Sequence, residues 1–194
     1  MKQASYGTTL TGKEAKRLYF IKPILLMVAN LFEPAIVVEV EETMNGCYVN
    51  VNGNLDFVLK RKLETGEYRR ICIVEARKDD MDKGMAQNLV GMEVVSELDH
   101  VETVYDIVTN FKEWTFMKRS DDQILVHEDA VVFGNGIRSE VARVAGKVYS
   151  ILADDSFKSF VALMPSLSLF RVCVNLIGLA LVDAGHQLLL LDFY

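Results

Sequence analysis

Two acidic side chains, Asp56 and Glu75, stand in short β-branched and aromatic runs, and a basic residue, Arg77, follows the second by two positions. Side chains alternate faces along a strand, so Glu75 and Arg77 share one side while Ala76 and Lys78 take the other. On the earlier run Asp56 shares a side with Val58, and Leu55, Phe57 and Leu59 face the opposite way. If the two runs pair as a hairpin, Asp56 and Glu75 converge near one edge of a sheet. Carboxylates so placed repel unless something positive sits between them. Mg²⁺ (or Mn²⁺) suits that place, because Mg²⁺ takes oxygen ligands and is commonly held by one or two carboxylates with water and phosphate. Such a cation polarises a phosphodiester and lowers the pKa of a bound water. The basic side chain at 77 would face the same pocket and steady the phosphate or orient the attacking water. Spacing alone leaves a second account open, in which the three residues form a solvated strand edge with an ion pair.

The surrounding elements are read from periodicity. Leu18, Ile21, Leu25, Val28 and Phe32 recur at helical spacing over residues 13–32, with Pro23 predicting two shorter helices or a kink. Glu33-Pro34 closes that stretch. Runs at 35–41, 48–51, 55–60 and 70–76 read as a meander of strands, with Asn52-Gly53 and Thr65-Gly66 as hairpin signals. A helix is predicted over 81–98, strands at 104–110 and 114–118 with a third at 124–127, and an amphipathic helix over 140–152 with Ser139 as N-cap. This order indicates an α/β or α+β domain with one mixed sheet. A flexible arm is expected at 1–12, the main domain at 13–152, and an apolar helical extension packed on it at 153–194.

The chain has 194 residues, enough for one domain with a genuine core. Its formal charge is −6, so no global positive field attracts nucleic acid. A nucleic-acid contact must rest on a local basic face. Lys60, Arg61, Lys62, Arg69 and Arg70 flank one hairpin turn and form the only dense basic patch, fit either to track a phosphate backbone or to solvate a hairpin tip. Cys47, Cys72 and Cys173 lack metal-ligand spacing and read as small buried hydrophobes in a reducing compartment. His100, His127 and His186 form no defensible triad, and Trp114 reads as core. The polar N-terminus carries no signal-peptide core, so an intracellular location is expected. The apolar stretch 160–191 is interrupted by Pro165, Arg171 and Asp183, which argues against a membrane span and for a helical hairpin or a homo-oligomer or protein-contact surface.

Read together, Gly53-Asn54-Leu55-Asp56, the run from Val74 through Glu75, Ala76, Arg77 and Lys78 to Asp80, Gly84 with Gln87, and the later Val108 to Lys118 resemble the PD-(D/E)XK nuclease superfamily. The likeness is greatest to the nuclease-like C-terminal domains of Crinkler-type effectors, and it runs over residues 33–118. The resemblance implies a restriction-endonuclease-like mixed central sheet flanked by helices, and a metal-dependent DNA endonuclease acting in the nucleus or cytoplasm (of a host cell, if an effector). It places Asp56 and Glu75 as metal ligands, Glu33 as an auxiliary one, Gln87 facing the site, and Arg77 where the family usually has lysine. An arginine holds phosphate but carries protons poorly. Lys78 is adjacent but points to the other face unless a bulge turns it. Other readings remain for single residues: Glu33 as a solvated carboxylate before proline, Gln87 as a solvent-facing or capping residue, and Asp79, Asp80 and Asp82 as helix starters. The N-terminal translocation region of Crinkler effectors is not visible, which implies an effector domain alone or a free-standing relative. A catalytically silent nuclease fold serving as a DNA- or protein-binding module is the alternative function.

Overall fold

The computed structural model describes residues 14–46, 52–77, 80–120, 123–133 and 136–153. The expected arm at 1–12, the run 48–51, Lys78 and the apolar extension beyond Ala153 lie outside the described residues.

Nine elements follow in order: α1 (Glu14–Asn30), β1 (Ile36–Asn45), β2 (Asn52–Lys62), β3 (Tyr68–Ala76), α2 (Met81–Asp99), β4 (Thr103–Thr109), β5 (Glu113–Ser120), β6 (Gln123–Ala130) and α3 (Ile137–Ala153). The six strands form one sheet in sequential order. All neighbours are antiparallel except β3 and β4, which run parallel. A parallel pair needs a crossover of a dozen or more residues, and α2 supplies it. The expected α/β class, a mixed central sheet flanked by helices, is the architecture found.

Helices cover both faces. On one, α1 and α3 pack against Phe57, Leu59, Val74, Ile107, Trp114 and Phe116. On the other, α2 packs against Val58, Ile73, Val104, Val108 and Met117. Full burial of one such side chain is worth roughly 1.5–3 kcal/mol, so the alternating apolar residues of the strands hold both layers. The Trp114 indole, buried as expected, donates to the Phe111 carbonyl at 2.8 Å. No helix among the described residues is long and apolar enough to cross a membrane.

Four local readings need correction. Helix α1 is one helix through Pro23 and not two shorter ones; Tyr19, whose carbonyl loses its partner, and Pro23 itself are exposed, so water can take up the missing bond. Asn52-Gly53 is not a turn: both residues lie inside β2, paired with Asn45 and Met44. Ser139 lies inside the first turn of α3, its hydroxyl donating to the Gly136 carbonyl at 2.7 Å. Leu55 does not follow the simple alternation, since it joins Val58 on the α2 side while Phe57 joins the opposite layer. The irregularity falls where Glu41 of β1, in the left-handed region at φ 56°, stands between the pairs Val40↔Phe57 and Glu42↔Leu55.

Candidate functional site

The β2–β3 ladder ends at Phe57↔Val74, so Asp56 and Glu75 occupy the next opposed positions, one on each strand. Here the strands stop pairing through their backbones. The Asp56 carboxylate instead accepts the Ala76 amide at 2.7 Å, which anchors it on the end of β3. Glu75, 6% exposed, is ion-paired with Arg77 at 2.6 Å. The alternation argument thus placed Glu75 and Arg77 together. Arg77 is fixed from its backbone as well: its amide donates to the Thr109 carbonyl at 2.8 Å, extending the β3–β4 ladder by a residue.

Helix α2 begins immediately afterwards. Asp80 caps it, accepting the Lys83 amide at 2.9 Å, and Asp82 lies in the first turn, where negative charge meets the positive helix end. Gly84 lets this turn sit on the strand ends; a Cβ there would fall 2.9 Å from Arg77 Cγ and 2.7 Å from Val108 Cγ1. The next turn lines a cleft of about 270 Å³ that also contains Glu75. Gln87 lines it too, and so does Lys83. Lys83 was not singled out in the sequence. Its spacing of four from Gln87, which puts both on one helix face, is the signal that could have found it.

The auxiliary acid does not join them. Glu33 is exposed in the turn after α1, next to Phe32, which packs into the α1–α3 layer on the other side of the sheet. No group of three or more His, Cys, Asp or Glu among the described residues is arranged to hold a metal. Of the expected ligands, Asp56 and Glu75 alone stand at opposed positions, so any donor set they offered would be two carboxylates. That fits Mg²⁺, which takes one or two carboxylates and completes its octahedron with water and phosphate, and it does not fit a closed all-protein cage. Lys78 lies outside the described residues.

The basic patch is largely consumed by structure. Lys60 pairs with Glu42 at 2.8 Å. Arg70 bridges Glu42 at 2.7 Å and Asp99 at 2.6 Å; burial opposes its charge, but the two carboxylates outweigh that and raise its pKa. Arg61 corrects the nucleic-acid expectation most plainly, because its guanidinium is buried and donates to the Leu152 carbonyl at 2.7 Å. Lys62 is exposed and Arg69 half-buried.

A second polar feature lies under the cleft. Asp106, at the centre of β4, is wholly buried and accepts a hydrogen bond from the Asn88 amide of α2. Burial pushes its carboxyl well above the usual range; the Ile107 and Asn88 hydrogen bonds oppose this, and the charge of Glu75 adds to it. Asn88 Oδ1 and Asp106 Oδ2 have no partner. An aspartate inside the apolar run Val104-Tyr105-Asp106-Ile107-Val108 was the available signal, and it went unread. Cys72 is a buried free thiol, as expected of a small hydrophobe, with burial raising its pKa.

No family model matches the chain. Over 151 residues, 77% of its length, it is 38% identical to Crinkler effector protein 5 of Phytophthora infestans. The chain spans 42% of that relative's length. Among solved structures, the type IIG restriction endonuclease BpuSI aligns over 94% of this chain and 18% of its own, with a TM-score of 0.47 and 18% identity. A candidate nuclease of DUF820 from Anabaena variabilis aligns over 73% of this chain and 83% of its own, with a TM-score of 0.41 and 11% identity.

Proposed function

We propose that this homologue of a Crinkler effector is a Mg²⁺-dependent phosphodiesterase acting on DNA, of the PD-(D/E)XK type that the sequence resembles. The observation that carries the reading is the opposition of Asp56 and Glu75 at the open end of the β2–β3 ladder, with Arg77 ion-paired to Glu75 at the same point.

Asp56 and Glu75 would hold Mg²⁺ (or Mn²⁺). When bound, the ion supplies Lewis acidity toward a phosphodiester oxygen and acidifies a coordinated water. The chain's own residues do the rest. Asp56 is held by the Ala76 amide, so its carboxylate needs no reorganisation to receive a cation. Arg77 holds Glu75 in place through their ion pair, and its guanidinium steadies phosphate charge. It is not a proton carrier. Gln87, on the cleft wall, orients water or substrate by its amide. As an effector domain the protein would act within a host cell, in its nucleus or cytoplasm.

A second reading is favoured by one observation: a guanidinium, not an ammonium, fills the position after Glu75 and is already engaged by it. On that reading the fold is a catalytically silent DNA- or protein-binding module. Plasmid nicking with MgCl₂ separates the two. Wild type should cleave, and Glu75→Ala and Asp56→Ala should each lose activity by at least about a hundredfold, the loss typical for removal of a group that stabilises transition-state charge. Undiminished cleavage by both variants would remove the assignment. No cleavage under any divalent metal, even in Arg77→Lys, would favour the silent module.

A further inference from the structure

The walls of the cleft beside Glu75 are more apolar than a phosphate site requires. Met44 and Leu55 form the sheet side; Ala86, Val90, Gly91 and Val94 form the helix side. The polar groups Glu75, Lys83, Gln87 and Asn88 complete the lining. At about 270 Å³ it lies near the low end of small-ligand clefts, roughly 300–1,000 Å³, so it suits one flat ring system and not an extended ligand. Apolar faces, a polar edge and an attached phosphate beside the carboxylates describe a nucleotide. A base inside a duplex cannot present its faces to such a slot without unpairing and unstacking, whereas an unpaired base enters at little cost.

We infer that the cleft between α2 and the β1–β2 hairpin holds one unpaired nucleobase, and that the preferred substrate is therefore single-stranded DNA. This rests on the reading that Asp56 and Glu75 receive the scissile phosphate. The base lies over a floor of Met44 and Leu55, with Ala86 and Val90 of α2 beside it. The Gln87 amide reads its edge, and the exposed Lys83 ammonium meets the neighbouring phosphate. The fate of the basic hairpin supports the choice of single strand over duplex: Lys60, Arg61 and Arg70 are tied to Glu42, Asp99 and the Leu152 carbonyl, leaving little to track a duplex backbone over several phosphates.

Ala86→Phe tests the inference in the full 194-residue chain. The position is exposed on α2, so a larger side chain can fill the slot without entering the core. Ala86→Ser keeps the slot open, and circular dichroism of both variants reports folding. Fluorescence anisotropy with a labelled oligo-dT and a duplex of equal length is read with Ca²⁺ replacing Mg²⁺ to suppress cleavage. Wild type and Ala86→Ser should bind oligo-dT about tenfold or more tighter than duplex, and Ala86→Phe should lose about tenfold on oligo-dT alone, the scale of one base-stacking contact. Equal affinity for the two probes, or full oligo-dT affinity in folded Ala86→Phe, overturns the inference. Cleavage separates the two levels. Activity on duplex and single strand alike, unaffected by Ala86→Phe, removes the slot and leaves the nuclease. Oligo-dT preference lost in Ala86→Phe, with no cleavage under any metal, keeps the slot and removes the nuclease.

Discussion

Glu75 and Asp106 are both buried acids on the α2 side of the sheet, and their surroundings differ. Arg77 sits against Glu75 at 2.6 Å and supports its charge. Asp106 has only the neutral amide of Asn88 and a backbone N–H, and burial with the nearby charge of Glu75 pushes its pKa far up. In the unfolded chain Asp106 titrates in the ordinary carboxylate range. The folded value is the higher one, so the fold favours the protonated form. That contribution is complete below the ordinary range and is lost as pH rises through the raised folded value. Asp106→Asn keeps the shape, never ionises, and carries an amide able to donate to Asn88 Oδ1, which now lacks a donor. Thermal melts of the two proteins should therefore lie nearest one another in buffer acidic enough to fall below the ordinary carboxylate range, and separate as the pH rises from there. The variant should be more stable by about 1–3 kcal/mol at the alkaline end, the cost of an unsatisfied buried polar group. A variant less stable than wild type at every pH would mean that Asp106 is ionised in the fold and compensated there.

Helix α2 is the element on which the site depends, because it seats the first-turn backbone on Arg77 and turns Lys83 and Gln87 into the cleft. Its two buried glycines differ in what they permit. A Cβ at Gly84 would meet Val108 Cγ1 at 2.7 Å, a β-branched side chain in a sheet interior, and Arg77 Cγ at 2.9 Å. A Cβ at Gly91 would meet Ile73 Cδ1 at 2.9 Å, the far end of a side chain that can turn. Alanine gains about 1 kcal/mol of helix propensity over glycine at either position, and overpacking costs roughly 1–3 kcal/mol. Gly84→Ala should therefore lower stability in denaturant titrations, while Gly91→Ala should come out near neutral or slightly stabilising. Equal effects would mean that α2 does not press on the strand ends as described. That contact also marks where sequence legibility stops. The presence and type of α2, α3 and the strands followed from periodicity and from helix-start signals such as Asp80. Strand alternation set Glu75 and Arg77 on one side, where they form their ion pair. Long-range closeness did not: nothing local ties Arg61 to Leu152 or Asn88 to Asp106, and a side chain's partner across the fold decides whether a charge is a surface or a strut. Glu33 was misplaced for the same reason, since the resemblance assigned its role and the fold sets its turn beside Lys62, at the end of β2 away from Asp56.

Across the whole molecule the charge balance decides how nucleic acid can be held. The chain carries 27 acidic and 21 Lys or Arg side chains, so contact with DNA runs against the mean field and must rely on a few local cations. Were all five basic residues of the hairpin to bind duplex phosphates, counterion release would give a log–log salt slope of about −4.5, from roughly −0.9 per phosphate neutralised. The structure engages three of them elsewhere: Lys60 with Glu42, Arg70 with Glu42 and Asp99, and Arg61 with the Leu152 carbonyl. Breaking those contacts to free the cations would leave Glu42 and Asp99, each less than 15% exposed in its side chain, partly buried without their counter-charges, and that cost opposes any gain from phosphate. Two hairpin cations, Lys62 and Arg69, then remain, so the hairpin's share of the salt slope for duplex, read as the difference between wild type and a chain with all five hairpin cations changed to alanine, should be no steeper than about −2. A share near −4 or beyond would mean that the hairpin gives up its carboxylates to DNA, and that this face, not the α2 cleft, is where the nucleic acid lies.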